Sequence, residues 1–178
     1  HYAAPKALLE AAGQANKPVI HISALGIDNS NTPFAASKAA FDRWAMVSGL
    51  PIVILRPSLV YGQGSYGGSS LLRAMAAMPF RIPVPHRVNP LIQPIHSDDL
   101  ARAILALCDA PITKPTLYHA VGSSRITLHE LLQTTRQWLG FKRAGFIAIP
   151  KPLTKLAAIF GKLFHAPGVN RTTMELLS

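Results

Sequence analysis

Ser23, Lys38 and Arg56 are the residues of this sequence whose types and order could do chemistry on a small molecule. A serine hydroxyl donates to a carbonyl, and a lysine ammonium holds a sugar hydroxyl or lowers a neighbour's pKa. Singly, each has a plain structural account: Ser23 as a turn residue, Lys38 as an exposed helix charge, Arg56 as a surface ion pair. Their order is more specific. Ser23 closes a strand, Phe34-Ala35-Ala36-Ser37-Lys38 opens the next helix, and Arg56-Pro57-Ser58-Leu59-Val60-Tyr61-Gly62 follows the next strand. Ser23 and Lys38 thereby fall at the carboxyl edge of a parallel sheet, where open α/β sheets bind ligands.

A second pattern is a decoy. Gly62-Gln63-Gly64-Ser65-Tyr66-Gly67 spells G-x-G-x-x-G, whose glycines let a backbone approach a pyrophosphate at a helix N-terminus. Pro57 breaks the strand early, and no acidic residue stands about 20 positions on to hold a ribose. The segment reads as a loop over a site. His96 with Asp98 and Asp99 raises a metal or an acid–base pair, but Ser97 and the two aspartates suit a helix N-terminus better. The seven histidines show no metal-ligand spacing, and no metal site is expected.

The elements that must position these residues follow from periodicity and punctuation. A helix is expected over residues 3–15, closed near Gly13, and a buried strand over 18–23. Another helix spans about 33–48, with Pro33 in its first turn and Gly49 as its stop. Ile52-Val53-Ile54-Leu55 is a second buried strand, ended by Arg56-Pro57. Helix, strand, helix, strand is the alternation of a parallel sheet covered on both faces. Further on come a helix at about 69–77, short extended pieces in the Pro-rich stretch 79–94, a helix over 98–108 capped by Ser97, and a strand over 118–121. Thr127-Leu128-His129-Glu130 is a capping box, repeated at Thr172-Thr173-Met174-Glu175.

Composition excludes several classes. Of 178 residues, 49% are hydrophobic and 15% charged, a well-buried globular balance. Cys108 is the sole cysteine, so neither an internal disulfide nor a multi-cysteine metal site can form. It follows Leu100, Ile104 and Leu107 and reads as an inert buried thiol in a reducing, cytoplasmic setting. No apolar run approaches the roughly 18 residues that span a bilayer. The formal charge is +10. Lysines and arginines are scattered through the first two thirds without aromatic interleaving, which argues against a nucleic-acid partner. After Glu130, Arg136, Lys142, Arg143, Lys151, Lys155, Lys162 and Arg171 face only Glu175. Residues 151–165 form a basic amphipathic pattern. It reads either as a helix packed on its own lobe with snorkelling lysines, or as a segment lying on an acidic membrane surface. The chain starts in an amphipathic pattern without an initiator Met and ends inside another, and it reads as a fragment.

In these motifs the chain resembles the short-chain dehydrogenase/reductase superfamily, in its extended or atypical branch, which includes NAD-dependent epimerases and dehydratases. Pro18–Ser23 looks like the strand carrying the catalytic Ser, Phe34–Lys38 aligns with Y-x-x-x-K, and Arg56–Gly62 with R-P-x-x-V-Y-G. Leu91-Ile92-Gln93-Pro94-Ile95-His96-Ser97-Asp98-Asp99-Leu100 is similar to the element that follows in this branch. Most similar are bacterial relatives of the NAD(P)H-binding accessory subunit of respiratory complex I, some of which are fused to DoxX-like membrane domains.

The resemblance implies NAD or NADP as cofactor, bound through Lys38 and the backbone of Pro57, Ser58, Leu59 and Val60. It implies Ser23 and Lys38 as catalytic residues, with Gln93 and His96 beside an unknown small-molecule substrate. Two departures stand out. Nothing corresponds to the family's Gly-rich cofactor loop, so the N-terminal half of the domain, on the order of 100 residues, would lie upstream. The Tyr of Y-x-x-x-K is Phe34, and a phenyl ring has no proton to exchange; such a loss typically costs about 10²–10⁴-fold in rate. The expected fold is α/β: the C-terminal half of a doubly wound Rossmann-type parallel sheet over residues 1–65, and a small α/β substrate-side lobe with interleaved sheet elements and a basic C-terminal helix over 66–178. The expected function is an NAD(P)-binding oxidoreductase or epimerase-like protein. The alternative is a non-catalytic NAD(P)H-binding accessory protein of a membrane redox system, cytoplasmic and peripheral to or tethered at the inner membrane.

Overall fold

The computed structural model describes residues 1–64, 68–86 and 89–149. The chain forms two compact units: residues 1–62 with 94–123, and residues 63–93 with 124–178. The chain enters the second unit twice.

In the first unit, α1 (Ala3–Gln14) leads to β1 (Val19–Ile22), a 3-10 turn (Ile27–Asn29), α2 (Pro33–Val47) and β2 (Ile52–Pro57). Thr32 starts α2 by accepting the Ala35 N–H at 3.2 Å, and Pro33 occupies the first turn. Gly49, at φ +71°, takes the left-handed conformation that ends a helix without a Cβ penalty. α1 ends at Gln14, beside Gly13 as the sequence suggested, but Gly13 is not the residue that turns the chain. Asn16 holds the positive φ there, while a Cβ on Gly13 would come within 2.6 Å of Leu50 Cδ2. Gly13 permits close packing inside the helix.

β1, β2 and β7 (Thr116–Ala120) form a parallel sheet in that order, with Ile20 opposite Val53 and Ile54 opposite Leu117. The α/β class with a parallel sheet is thus the observed one. β2 continues through Arg56 and Pro57 instead of stopping at Leu55, and all six of its residues are buried. It lies between two strands, and its alternating side chains serve two layers. Ile52 and Ile54 pack with Leu9 of α1 and Phe41 and Ala45 of α2. Leu55 faces Ile95 and Ala120, backed by Leu100, Ile104 and Leu107 of α4 (Ser97–Cys108). Two residues of β3 (Val60–Tyr61) pair in parallel with β6 (Ile95–His96) just before α4. Cys108 is exposed, not buried. Leu100, Ile104 and Leu107 complete the inward stripe, and the next position turns about 100° away from it.

The second unit holds α3 (Gly68–Ala76), β4 (Arg81–Pro85), β5 (Leu91–Ile92), β8 (Ile126–Thr127), α5 (Leu128–Trp138) and β9 (Gly145–Ile149). β4 and β9 are parallel, and β5 and β8 antiparallel. The Thr127–Glu130 capping box forms in both directions, and its two hydrogen bonds hold the Glu130 carboxyl below the usual carboxylate range. Arg136 is buried, with no acidic partner among the described residues. Its guanidinium donates to the carbonyls of Ala76 at 2.7 Å, Met78 at 2.6 Å and Lys142, closing the C-terminus of α3 with positive charge. The basic pattern at 151–165 and the capping box at Thr172 lie outside the described residues.

Candidate active-site edge

Parity along β1 decides what reaches α2. Val19 packs beside Ile52 and Ile54, the His21 ring lies 4.4 Å from the Phe41 ring, and Ser23 faces Asp42. Val19 and Ser23 also turn their main-chain N–H groups to β2, on Pro51 and Leu55. Ile20 and Ile22 therefore aim their main-chain groups at the opposite, outer edge. Lys38 reaches that edge: its Nζ donates to the Ile22 carbonyl at 3.1 Å.

Around this edge lies a buried ionic cluster. The Asp42 carboxylate, 1% exposed, accepts the Ser23 hydroxyl proton at 2.8 Å and Arg56 Nε at 2.7 Å on the same oxygen. Arg56 Nη1 meets Asp28 at 2.5 Å. Burial alone would lower the Arg56 pKa, but its bonds and charge contacts to Asp42 and Asp28 together raise it. Burial lowers the Lys38 pKa, with Asp42 one turn on in part opposing. The His21 pKa is lowered first by burial and then by the charge of Lys38, against the pull of Asp42. Asp42 Oδ1 and His21 Nε2 are buried without hydrogen-bond partners among the described residues.

Phe34 and Lys38 share a face of α2, with the ammonium 5.7 Å from the centre of the phenyl ring; the His1 ring meets Phe34 edge-on at 4.9 Å. Ser23, Lys38 and Arg56 are thus assembled at one sheet edge. The Ser23 hydroxyl proton is committed to Asp42, so Ser23 offers acceptor lone pairs rather than a donor. Arg56 is a buried cluster member, not a surface ion pair. The backbone of residues 57–60 is also engaged: Pro57 O accepts from Leu25, Ser58 N–H donates to Ala120 O, and Leu59 O accepts from Ile95.

His96, not Ser97, caps α4. Its Nδ1 accepts the Asp98 N–H at 3.2 Å, and its ring stands edge-on to Tyr61 at 5.1 Å. Gln93 is half-buried at the close of a segment of the second unit, whereas His96 belongs to the first. Gly62 and Gly64 both have positive φ, but they follow the two-residue β3 rather than a long buried strand. Residues 65–67 of that loop are outside the described part. Asp42 is the member that sequence reasoning missed. An acid one turn after Lys38, flanked by Phe41 and Ala45 on the buried face, was the signal that could have found it.

Parallel strands β1 and β2 linked by α2, with polar side chains gathered at their carboxyl end, define an α/β protein of the Rossmann type. The chain belongs to the NAD dependent epimerase/dehydratase family, whose model matches residues 8–119. Solved structures agree on the fold. The chain is similar to dTDP-glucose 4,6-dehydratase from Bacillus anthracis (TM-score 0.66, 19% identity, 84% of this chain and 55% of that one). It is similar to ADP-L-glycero-D-manno-heptose-6-epimerase from Helicobacter pylori (0.66, 21%, 83% and 53%). A third is UDP-glucuronic acid 4-epimerase from Bacillus cereus, solved with NAD (0.66, 19%, 80% and 53%). The chain spans about half the length of these proteins. No curated protein matches it.

Proposed function

We propose that this chain supplies the nicotinamide end of an NAD(P) site in an oxidoreductase or epimerase of the short-chain dehydrogenase type. The observation that carries this reading is Lys38 beside the Phe34 ring at the open carboxyl edge of the sheet. The chemistry of the site fits that end of the cofactor. An ammonium has three donors; one is on Ile22 O, and the others suit ribose hydroxyls. The Phe34 ring offers an apolar wall, and Pro57–Val60 line the next strand end. When bound, the cofactor would supply a hydride acceptor or donor. The pyrophosphate end needs a Gly-rich turn after a long strand, which these residues do not contain. Gln93 and His96 are proposed on the substrate side, and the substrate itself stays unassigned.

Proton transfer is the step this chain serves poorly. Phe34 carries no exchangeable proton, and Ser23 gives its own to Asp42. Those two facts favour a second reading, a non-catalytic NAD(P)H-binding accessory protein of a membrane redox system, akin to the complex I subunit and DoxX-fused relatives that the motifs resemble. Titration calorimetry with NADH and NADPH on the full natural protein tests the shared part. Lys38→Ala weakens binding about tenfold or more if the ammonium holds a charge-assisted bond; unchanged binding removes the assignment. Phe34→Tyr then separates the two readings. A gain in reductase turnover supports a dormant catalytic edge, and no gain supports the accessory protein.

A further inference from the structure

The charge of this protein is segregated by unit. The first unit carries seven basic against six acidic residues, and the second eleven against two, Glu130 and Glu175. Glu130 is already committed to the Thr127 capping box. One corner of the second unit adds apolar surface to that charge. Phe80 is 88% exposed, Trp138 64%, Met78 47% and Phe141 44%. Arg136 ties the segment after α3 to the segment after α5. Its guanidinium holds the carbonyls of Met78 and Lys142 and lies 5.2 Å from the Phe141 ring. Arg81 pairs with Gly145 at the start of β4 and β9, so the loops that bring in Phe80 and Phe141 run side by side. Trp138 is the last residue of α5, two positions beyond Arg136. Exposed Arg81, Lys142 and Arg143 directly adjoin Phe80 and Phe141 in these segments.

We propose that this corner is a docking surface for an acidic lipid bilayer, with Phe80 and Trp138 inserted at headgroup depth and Arg81, Lys142 and Arg143 on anionic headgroups. Four large apolar side chains are exposed in the neighbouring segments 78–81 and 138–141, and exposed apolar surface of that extent is of a kind that marks an interaction site. Trp and Phe ringed by cations match the chemistry of a membrane–water interface. A protein partner would ordinarily meet a mixed polar rim, whereas this rim is of one sign. Among the described residues alone the second unit holds Arg73, Arg81, Arg125, Arg136, Lys142 and Arg143 against Glu130, so the surface stands independently of the cofactor reading and of residues 151–165.

The test is flotation of the full chain with phosphatidylcholine vesicles containing 30% phosphatidylglycerol, against pure phosphatidylcholine, in 50 mM and 500 mM NaCl. Expected is binding to the acidic vesicles alone, weakened by salt. Each basic residue at an acidic leaflet contributes about fivefold in partitioning, so Lys142→Ala with Arg143→Ala lowers it about 25-fold. Phe80→Ser with Trp138→Ser lowers it at least about tenfold, because exposed rings lose transfer energy without touching the core. Circular dichroism melting on each variant confirms that the fold is intact. Equal binding to neutral vesicles overturns the proposal, as does no binding to either. Acidic-vesicle binding unchanged in both double variants also overturns it and shifts the role to other basic residues. If the Phe80/Trp138 pair instead turns a self-associated chain into a monomer and leaves vesicle binding intact, the occupant is a second copy.

Discussion

Asp42→Ala is the perturbation that reads the buried cluster most directly. Asp42 is 1% exposed and takes two donors on one oxygen, Ser23 at 2.8 Å and Arg56 at 2.7 Å. Removing it orphans a buried hydroxyl, worth about 1 kcal/mol, and leaves the Arg56 cation with Asp28 alone. Asp28 is 54% exposed at its side chain, and so open a pair contributes roughly 0–1 kcal/mol. Breaking a buried pair by deleting one partner costs about 3–5 kcal/mol, a large share of the 5–15 kcal/mol typical of a whole domain. Urea denaturation followed by circular dichroism should show that loss with an unchanged slope, and the melting temperature should fall by roughly 10 °C. Asp42→Asn should cost about half as much. Its oxygen can keep both donors while the amide nitrogen takes the place of Oδ1, which has no partner among the described residues. An alanine variant within about 1 kcal/mol of the natural protein would refute the argument, because Arg56 and Ser23 would then be relaxing into water. An asparagine variant as unstable as alanine would show that charge, not hydrogen bonding, holds α2 to β2.

Arg136→Ala should destabilise the second unit by about 3 kcal/mol, since it strips charge-assisted bonds from the Ala76, Met78 and Lys142 carbonyls. Arg136→Lys should recover only part of this, because an ammonium lacks the planar fork; full recovery in thermal melts would contradict the account. His21 gives a pH prediction. Its folded pKa lies below 6.5 because burial, and then Lys38, disfavour the cation. The unfolded chain therefore binds more protons between the two values, so stability is complete above about pH 6.5 and declines on acidification. His21→Phe should flatten the stability profile of urea titrations across that window. An unchanged slope would place the acid sensitivity elsewhere.

What could be read from the sequence was whatever is written within a few residues. The β1–α2–β2 alternation is local apolar patterning, and it located the parallel sheet. Gly49 as a helix stop and the Thr127–Glu130 capping box are local punctuation, and both formed where expected. The Phe34–Lys38 pairing is an i, i+4 relation that any α-helix imposes, and the motif order around it carried the family. Tertiary structure decided the rest. Ser23 meets Asp42 from 19 positions away, and Arg56 from 14. Arg136 reaches Ala76 across 60. No window of sequence shows where a proton or a guanidinium fork will go once strands from distant segments align. The same limit hid His96 as the cap of α4 and the exposure of Cys108. Periodicity names the face that must be buried, but a polar group inside that face is satisfied by whichever partner the assembled sheet brings within about 3 Å.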